Sequence, residues 1–347
     1  MGKILFAAAM SHVLDARRRA LVVAGAALVL GLAGTPACAQ KSRDAATLRL
    51  DFYAYGLHAP FAYGVEKGIY AEQGIDLTIL EGNGSGATVQ QVGAGTDRFG
   101  FADATAMARL VSKGLPAKMI ANYVQTSPLA IIFFADKDIK APKDLEGRTI
   151  AFTAGDAIHQ LFPAFVKVAG LDKAKVQEVL LVPAAKQAAV MTGTVDAMSG
   201  FYNVQAAVIE HETKRPVRYL RYADYGLGSI THGLLVNTRS LGDASLNCRM
   251  VKATSLAWAA AAKDPEAAAD ALLRLFPKTN KGSKDLTRRQ WVDNAGLLYS
   301  KASQGKAPGF MIREDWERLI ALARDYGGLE PVKPLDDYYT NEFFDCR

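Results

Sequence analysis

Strand and helix patterns alternate along residues 47–236, and this alternation is the feature that most constrains the fold of the chain. Short apolar runs are each followed by a segment with apolar residues at helical spacing. Such alternation predicts parallel strands joined by helices that cover the sheet, which places the chain in the α/β class. In the first part of the chain we expect strands at 47–53, 75–80, 99–102, 118–124 and 129–135 and helices at 61–73, 86–95 and 104–113.

The second part of the chain repeats this plan. We expect strands at 148–154, 179–182, 195–200, 217–222 and 234–236, with helices at 157–169, 184–191 and 203–212. A short echo links the two parts, since GTD at 95–97 and GTVD at 193–196 each follow a glutamine-containing helix. Glycine suits the end of a helix because it tolerates the left-handed conformation. A duplicated lobe and a chance similarity both explain the echo.

The N-terminal residues have the features of an export signal. Three arginines at 17–19 precede an apolar run at 20–32, and small residues flank Cys38. This order predicts a cleaved signal peptide over residues 1–39 and a periplasmic location. The apolar run is shorter than the ~20 residues that span a bilayer. A retained anchor and lipidation at Cys38 remain as alternatives.

The length that remains after this signal predicts two lobes. Removal of 39 residues from 347 leaves 308, which exceeds the ~250–300 residues at which single cores stop growing. We assign residues 40–128 and 232–347 to lobe 1 and residues 129–231 to lobe 2. The linking strands, near 127–129 and 231–234, would act as hinges by absorbing changes in backbone dihedral angles.

Composition and cysteine placement exclude several classes of partner. Two cysteines follow the signal, Cys248 and Cys346, and in an oxidising compartment they form either a disulfide or two free thiols. The sequence has no metal-ligand spacing and no cofactor motif, so we expect neither a metal nor a cofactor. The net charge is +6 without a basic stripe between aromatic residues, which argues against nucleic acid as a partner.

Several segments resemble those of one protein family. They are LHAPF at 57–61, GVEKGIY at 64–70, EQGIDL at 72–77, GNGSGAT at 82–88, FAD at 101–103, IKAPKDLEGRTIA at 139–151 and YTNEF at 339–343. The chain thereby resembles periplasmic binding proteins for nitrate, taurine, alkanesulfonates and pyrimidine precursors of thiamine. The resemblance implies two α/β lobes of the periplasmic-binding-protein fold (type II), each a mainly parallel sheet flanked by helices, with two hinge strands. It also implies a monomer that delivers a small solute to an ABC permease in the inner membrane.

Candidate ligand-binding residues follow the strands of the first lobe. Open α/β sheets bind ligands in the crevice beyond the carboxyl ends of their strands. The glycine-rich loop at 82–88 opens a helix whose free N–H groups suit an anion. Aromatic walls suit a flat ligand. The candidates in this lobe are Tyr55, His58, Asn83, Ser85, Gly86, Thr88, Asp103 and Thr105.

The matching positions of the second lobe supply the remaining candidates, which are Thr153, Gly155, Asp156, Tyr202, Asn203 and Asp224. Simple helix capping is the alternative role for Asn83, Ser85, Asp103 and Asp156. His58 has a structural hydrogen bond as its alternative. If the first strand reaches Tyr53, the alternation of side chains places Phe52 in the core.

These patterns predict a binding protein rather than an enzyme. The expected ligand is a small organic anion or a flat heteroaromatic, such as an alkanesulfonate, an aromatic carboxylate or a pyrimidine. One branch of the family makes a pyrimidine precursor and carries a cysteine-rich active-site run, which this sequence lacks. An enzyme of that branch and a sensory module that presents its ligand to a receptor are the alternatives.

Overall fold

The computed structural model of this protein describes residues 43–154, 157–278 and 283–346. The predicted signal peptide and two candidate site residues, Gly155 and Asp156, lie outside the described residues. Within these ranges, no helix has both the length and the apolar character needed to cross a membrane.

Two mixed sheets form the framework. The first contains β1 (Asp44–Arg49), β2 (Ile75–Leu80), β3 (Phe99–Asp103), β4 (Ala117–Asn122) and β10 (His232–Asn237), in the order β2-β1-β3-β10-β4. The second contains β5 (Leu129–Phe134), β6 (Thr149–Phe152), β7 (Gln177–Leu180), β8 (Ala197–Phe201) and β9 (Val217–Arg221), in the order β7-β6-β8-β5-β9.

Both sheets follow one topological plan. In the first sheet only β10 runs against its neighbours, and in the second only β5 does. Each of these strands enters its sheet directly after the chain has crossed from the other sheet. The other strand pairs in both sheets are parallel, and parallel strands must be joined by crossover connections that are usually helices. This explains why strand and helix patterns alternate in the sequence. The predicted α/β fold with two mainly parallel sheets is confirmed.

Helices cover both sheets. They are α1 (Ala59–Glu66), α2 (Ile69–Glu72), α3 (Ser85–Ala94), α4 (Ala104–Ser112), α5 (Ala157–Ala169), α6 (Pro183–Met191), α7 (Ala207–Thr213), α8 (Ala244–Lys263), α9 (Pro265–Leu275), α10 (Lys284–Ala295) and α11 (Arg313–Gly327). The C-terminal helices pack on the first sheet through a buried aromatic cluster. Trp258 of α8 stacks on Tyr123 with ring centroids 4.9 Å apart, and Trp291 of α10 donates its indole N–H to the carbonyl of Ala261.

The two segments that cross between the sheets are hydrogen-bonded to each other. The amide of Thr231 donates to the carbonyl of Val124 at 2.8 Å, and the amide of Tyr123 donates to the carbonyl of His232 at 2.9 Å. The crossing segments therefore form a short paired ribbon. Any rotation of one sheet relative to the other must pass through this ribbon, because both connections run through it.

Three predicted elements differ from the structure in kind or by more than two residues at an end. The helix predicted at 61–73 is two helices, because Gly68 between them has a φ of 73°. The strand predicted at 47–53 ends at Arg49, so the residues from Asp51 onward bend into a loop. The helix predicted at 203–212 starts with a π-helical turn, Tyr202–Ala206, which precedes α7.

A disulfide joins Cys248 of α8 to Cys346 near the C-terminus. It fixes the tail against α8 beside Phe343, which is buried. The cross-link spans 98 residues of sequence, so it restricts the unfolded chain over a long loop.

We expect Cys346→Ser to lower the free energy of unfolding by about 2–4 kcal/mol, because the unfolded chain regains loop entropy. Urea unfolding of the oxidised protein and of the variant measures this difference. Reductant should shift the native protein towards the variant and leave the variant unchanged. Equal stabilities of the oxidised protein and the variant would contradict a role for the bridge.

Candidate functional site

A cavity of about 830 Å³ is lined by residues from both sheets. The segments that follow β1, β3 and β8 contribute to it, together with both crossing segments and parts of α10 and α11. Each of these segments lies at the carboxyl end of its strand. The cavity therefore occupies the place where open α/β sheets bind ligands.

Aromatic rings form one wall of the cavity. Phe52, Tyr53 and Tyr55 line it, and the exposed fractions of Phe52 and Tyr53 are 40% and 51%. The ring centroids of Phe52 and Tyr53 lie 4.2 Å apart, and those of Tyr53 and Tyr55 lie 6.4 Å apart. Because β1 ends at Arg49, the condition under which Phe52 would lie in the core is not met, and its ring is partly exposed. These rings offer apolar faces to a ligand.

A carboxylate and a histidine, Asp51 and His232, form the floor of the cavity, and a second histidine, His58, lies behind Asp51. Asp51 Oδ1 lies 2.7 Å from His58 Nε2, and Asp51 Oδ2 lies 3.3 Å from His232 Nε2. The amide of Tyr55 donates to His58 Nδ1 at 3.3 Å, so the proton of His58 resides on Nε2 and is donated to Asp51. The cluster connects the loop after β1 to the first residue of β10.

The electrostatics of this cluster favour the ionised forms of Asp51 and His232. Burial by itself would raise the pKa of Asp51, but the two histidines outweigh it and hold that pKa below its ordinary value. Burial likewise would lower the pKa of His232, but Asp51, followed by Asp103, raises it above 6.5. Both shifts therefore favour a charged His232 paired with an ionised Asp51.

The two helices that begin at the cavity differ in their N-termini. Asp103 Oδ1 accepts a hydrogen bond from the amide of Ala106, so a carboxylate already caps α4. The N-cap of α3 is Gly84, with a φ of 102° and no side-chain cap. Ser85 instead accepts a hydrogen bond from the amide of Asp103 at 3.1 Å. The start of α3 therefore has no side-chain cap for its N–H groups, and Gly84 and Ser85 line the cavity.

A buried amide pair connects the second sheet to α10. Asn203 donates from Nδ2 to Asn294 Oδ1 at 2.7 Å, and Asn294 donates to the carbonyl of Gln290. Asn203 lines the cavity and is 3% exposed, and its Oδ1 has no hydrogen-bond partner among the described residues. This oxygen can accept a hydrogen bond from a ligand.

The structure brings five of the predicted site residues into the cavity lining: Tyr55, Ser85, Asp103, Thr105 and Asn203. Two others support the lining from behind. His58 is buried and orients Asp51, and Thr88 is buried and donates its hydroxyl to the carbonyl of Leu50. The hydrogen bonds thus show a structural role for His58, which bonds to Asp51, and a helix-capping role for Asp103.

The remaining described candidates lie outside the lining. Tyr202 is buried and stacks on Tyr219 with centroids 4.5 Å apart, because the π-helical turn directs it towards β9. Asp224 is exposed and forms an ion pair with Arg221 at 2.7 Å. Asn83, Gly86 and Thr153 also do not contribute to the lining.

Several lining residues were missed by the sequence analysis, among them Asp51, Arg109, His232, Gln290 and Asn294. Asp51 could have been found, because it directly follows a strand. The residues on α10 had a weaker signal, since Gln290 and Asn294 are four positions apart on a helix that was not expected to reach the ligand. No metal-binding group of three or more His, Cys, Asp or Glu side chains occurs among the described residues.

A family model described as NMT1/THI5 like matches residues 56–268, which is more than half of the chain. The match includes the cavity lining contributed by α4, α5 and the π-helical turn. The chain belongs to the NMT1/THI5-like family.

Curated relatives of this NMT1/THI5-like protein carry different names. The formylaminopyrimidine-binding protein of Halalkalibacterium halodurans is 23% identical over 87% of this chain and 91% of the relative. A 4-amino-5-hydroxymethyl-2-methylpyrimidine phosphate synthase of Legionella pneumophila is 23% identical over 87% and 92%. The riboflavin-binding protein RibY of Chloroflexus aurantiacus is 23% identical over 88% and 87%.

Solved structures support the fold. The periplasmic aliphatic sulphonate binding protein SsuA of Escherichia coli matches with a TM-score of 0.64 and 15% identity, covering 85% of this chain and 92% of SsuA. At this identity the likeness concerns the architecture. The NMT1/THI5-like protein thus has the periplasmic-binding-protein fold.

The His232–Asp51 pair predicts a pH dependence of stability. Because the folded pKa of His232 is raised above its ordinary value, protonated His232 stabilises the fold fully below about pH 6.5, and this contribution is lost as the pH rises through the folded pKa. We therefore expect His232→Gln to cost more stability at about pH 6 than at about pH 8. Urea unfolding at both pH values measures the difference.

His211→Gln is the matched control, since His211 bonds to the hydroxyl of Ser283 rather than to a carboxylate. Its effect on stability should change less between the two pH values. A His232→Gln effect that is the same at both would show that the charged pair does not form.

Proposed function

We propose that this protein is the extracytoplasmic solute-binding component of an ABC importer, and that its ligand contains a small flat heteroaromatic ring. The observation that carries the proposal is the exposed aromatic pair of Phe52 and Tyr53 in the cavity. Exposed rings in a cavity lose water when a flat ligand stacks on them, and stacking adds about 0.5–1.5 kcal/mol beyond the area buried.

The size of the cavity supports a small molecule as the ligand. Pockets for small ligands typically have volumes of ≈ 300–1,000 Å³, and this cavity has about 830 Å³. The relatives named for a formylaminopyrimidine and for riboflavin are binding proteins for flat nitrogen heterocycles. A pyrimidine or a larger ring system of this kind is therefore the ligand class that we favour.

Polar groups around the aromatic wall would orient such a ring. Asn203 Oδ1 can accept a hydrogen bond from a ring N–H or an exocyclic amine. The uncapped start of α3 can donate to a ring nitrogen, a carbonyl or an anionic group. An alkanesulfonate or an aromatic carboxylate is the second ligand class. The one feature that favours it is the uncapped start of α3, which can bind an anionic group.

Binding would proceed by closure of the two lobes, which we place at residues 40–128 with 232–347 and at 129–231. Ligand contacts with both lobes stabilise the closed form and shift the population towards it. The ribbon of paired crossing segments, with Thr231 and Val124 at its centre, would provide the hinge. A permease in the inner membrane would recognise the closed protein after export directed by residues 1–39.

An enzymatic function is the alternative that a relative raises, since one is named a pyrimidine phosphate synthase. We favour binding because the sequence lacks the cysteine-rich active-site run that the enzymatic branch carries. Mass spectrometry of the protein after incubation with candidate substrates separates the two functions. A turned-over product, or a side chain lost from the protein, would establish catalysis.

Flat heteroaromatic ligands should raise the melting temperature of the purified exported protein. Ligand at 100 times its Kd adds about 2.7 kcal/mol of stability. A thermal-shift panel of pyrimidines, riboflavin, aromatic carboxylates and alkanesulfonates tests this, and native mass spectrometry identifies ligand retained through purification. A shift with alkanesulfonates and none with any ring would transfer the assignment to the second class.

Replacement of the aromatic wall should weaken binding without unfolding the protein. We expect Phe52→Ala and Tyr53→Ala each to raise the Kd about 5- to 20-fold, because each removes a stacking face that is exposed in the free protein. Isothermal titration calorimetry measures the Kd. Leu275→Ala is the control, since Leu275 is exposed to a similar extent but lies outside the cavity. Unchanged affinity in both aromatic variants would refute the wall as the binding surface.

Closure should be visible in solution scattering. If free protein samples an open form, saturating ligand should reduce the radius of gyration, since contacts with both lobes favour the closed form. Identical scattering curves with and without a ligand that binds by calorimetry would contradict the hinge mechanism.

A further inference from the structure

Arg109 is the cavity-lining cation that the binding mechanism above does not use. It lies on α4, one helical turn after Thr105, and both side chains line the cavity. Residues four positions apart share a helix face. Thr105 and Arg109 therefore lie on the face of α4 that lines the cavity.

The guanidinium of Arg109 has a neutral partner. Its Nη2 donates to Gln160 Oε1 of α5 at 2.8 Å, and its Nε is buried without a partner among the described residues. No described carboxylate lies within ion-pair distance of it. Other arginines of the chain differ, since Arg49 pairs with Asp97 and Arg221 pairs with Asp224.

The acidic groups that line the same cavity cannot neutralise Arg109. Asp51 is engaged by His58 and His232, and Asp103 accepts the amide hydrogen bond that caps α4. Glu212, on α7, is exposed and forms no ion pair with Arg109. The positive charge of Arg109 therefore remains available in the cavity.

Apolar side chains surround Arg109 in the cavity. Leucines of α5 and α11, namely Leu161, Leu319 and Leu322, line the cavity with it. An anion that reaches Arg109 would gain charge-assisted hydrogen bonds from N–H groups in a partly desolvated place.

We propose that Arg109, positioned by Gln160, forms an anion subsite, and that the ligand carries an acidic arm on its flat ring. The arm is a phosphate monoester or a carboxylate, since the guanidinium fork matches the oxygens of both groups. The inference rests on the proposed function, which supplies the ring. Phe52, Tyr53 and Arg109 line the same cavity of about 830 Å³, so one ligand could contact the aromatic pair and the guanidinium together.

Matched pairs of ligands test the subsite. The probes are riboflavin with riboflavin 5′-phosphate, and 4-amino-5-hydroxymethyl-2-methylpyrimidine with its phosphate monoester. We expect the phosphorylated member of the pair that binds to have a Kd about tenfold lower or more, because a hydrogen bond to a charged group contributes that much. Calorimetry at constant ionic strength measures both members.

Arg109→Gln should remove this preference while it leaves the affinity for the neutral ring within about twofold, because only the arm contacts the charge. Arg109→Lys keeps the charge and should keep part of the preference. Lys113→Gln is the control, since Lys113 ends the same helix, is exposed and lies outside the cavity. Circular dichroism and thermal melts check that each variant is folded.

The outcomes separate the subsite from the proposed function. If neutral and phosphorylated rings bind equally, the subsite is refuted and the binding function stands. If Arg109→Gln weakens both members of a pair equally, Arg109 only joins α4 to α5, and the subsite is again refuted. If no ring of either kind binds, the proposed function fails, and the inference fails with it.

Discussion

The hydrogen bonds of Asp51 to two histidines are the interaction on which the site depends. Asp51 follows β1, His58 precedes α1, and His232 begins the strand that returns from the second sheet. A buried carboxylate without partners would cost several kcal/mol. The partners therefore fix where the chain leaves β1, and this fixes the aromatic wall at Phe52 and Tyr53. The floor of the cavity, its wall and one crossing segment are thus held by one charged group.

Much of the fold could be predicted from the sequence, because the fold is determined by patterns that repeat. Parallel strands need helical crossovers, and each crossover appears as an apolar run followed by helical spacing. The prediction erred where a single residue or turn decides the backbone. Gly68 divides one predicted helix, and β1 stops at Arg49 rather than at Tyr53. The spacing of apolar residues does not reveal such local changes, since apolar side chains continue before and after each of them.

The site was less predictable because it is assembled from distant segments. Asn203 was found, since it follows a strand, but its partner Asn294 lies 91 positions later on a C-terminal helix. Arg109 was missed because a cation on a helix face is usually solvated, and only the structure shows that it meets no carboxylate among the described residues. Tyr202 was expected at the ligand, but the π-helical turn aims it at Tyr219. Strand ends predict the neighbourhood of a site, and helix register decides which side chains enter it.

The polar groups of the cavity that already have hydrogen-bond partners, and those that have none among the described residues, determine which hydrogen-bonding groups a ligand needs. Asp51 and Asp103 are already hydrogen-bonded, so a ligand gains little by approaching them with a positive charge. Asn203 Oδ1 is buried without a partner among the described residues, and such a group costs about 1–3 kcal/mol. A ligand with a correctly placed N–H removes this cost, and an isosteric ligand without one does not. Selectivity of this kind exceeds what apolar contact achieves, because a missing donor leaves the buried acceptor unpaired. The aromatic wall would therefore supply affinity for flat rings in general, and Asn203 would select among them.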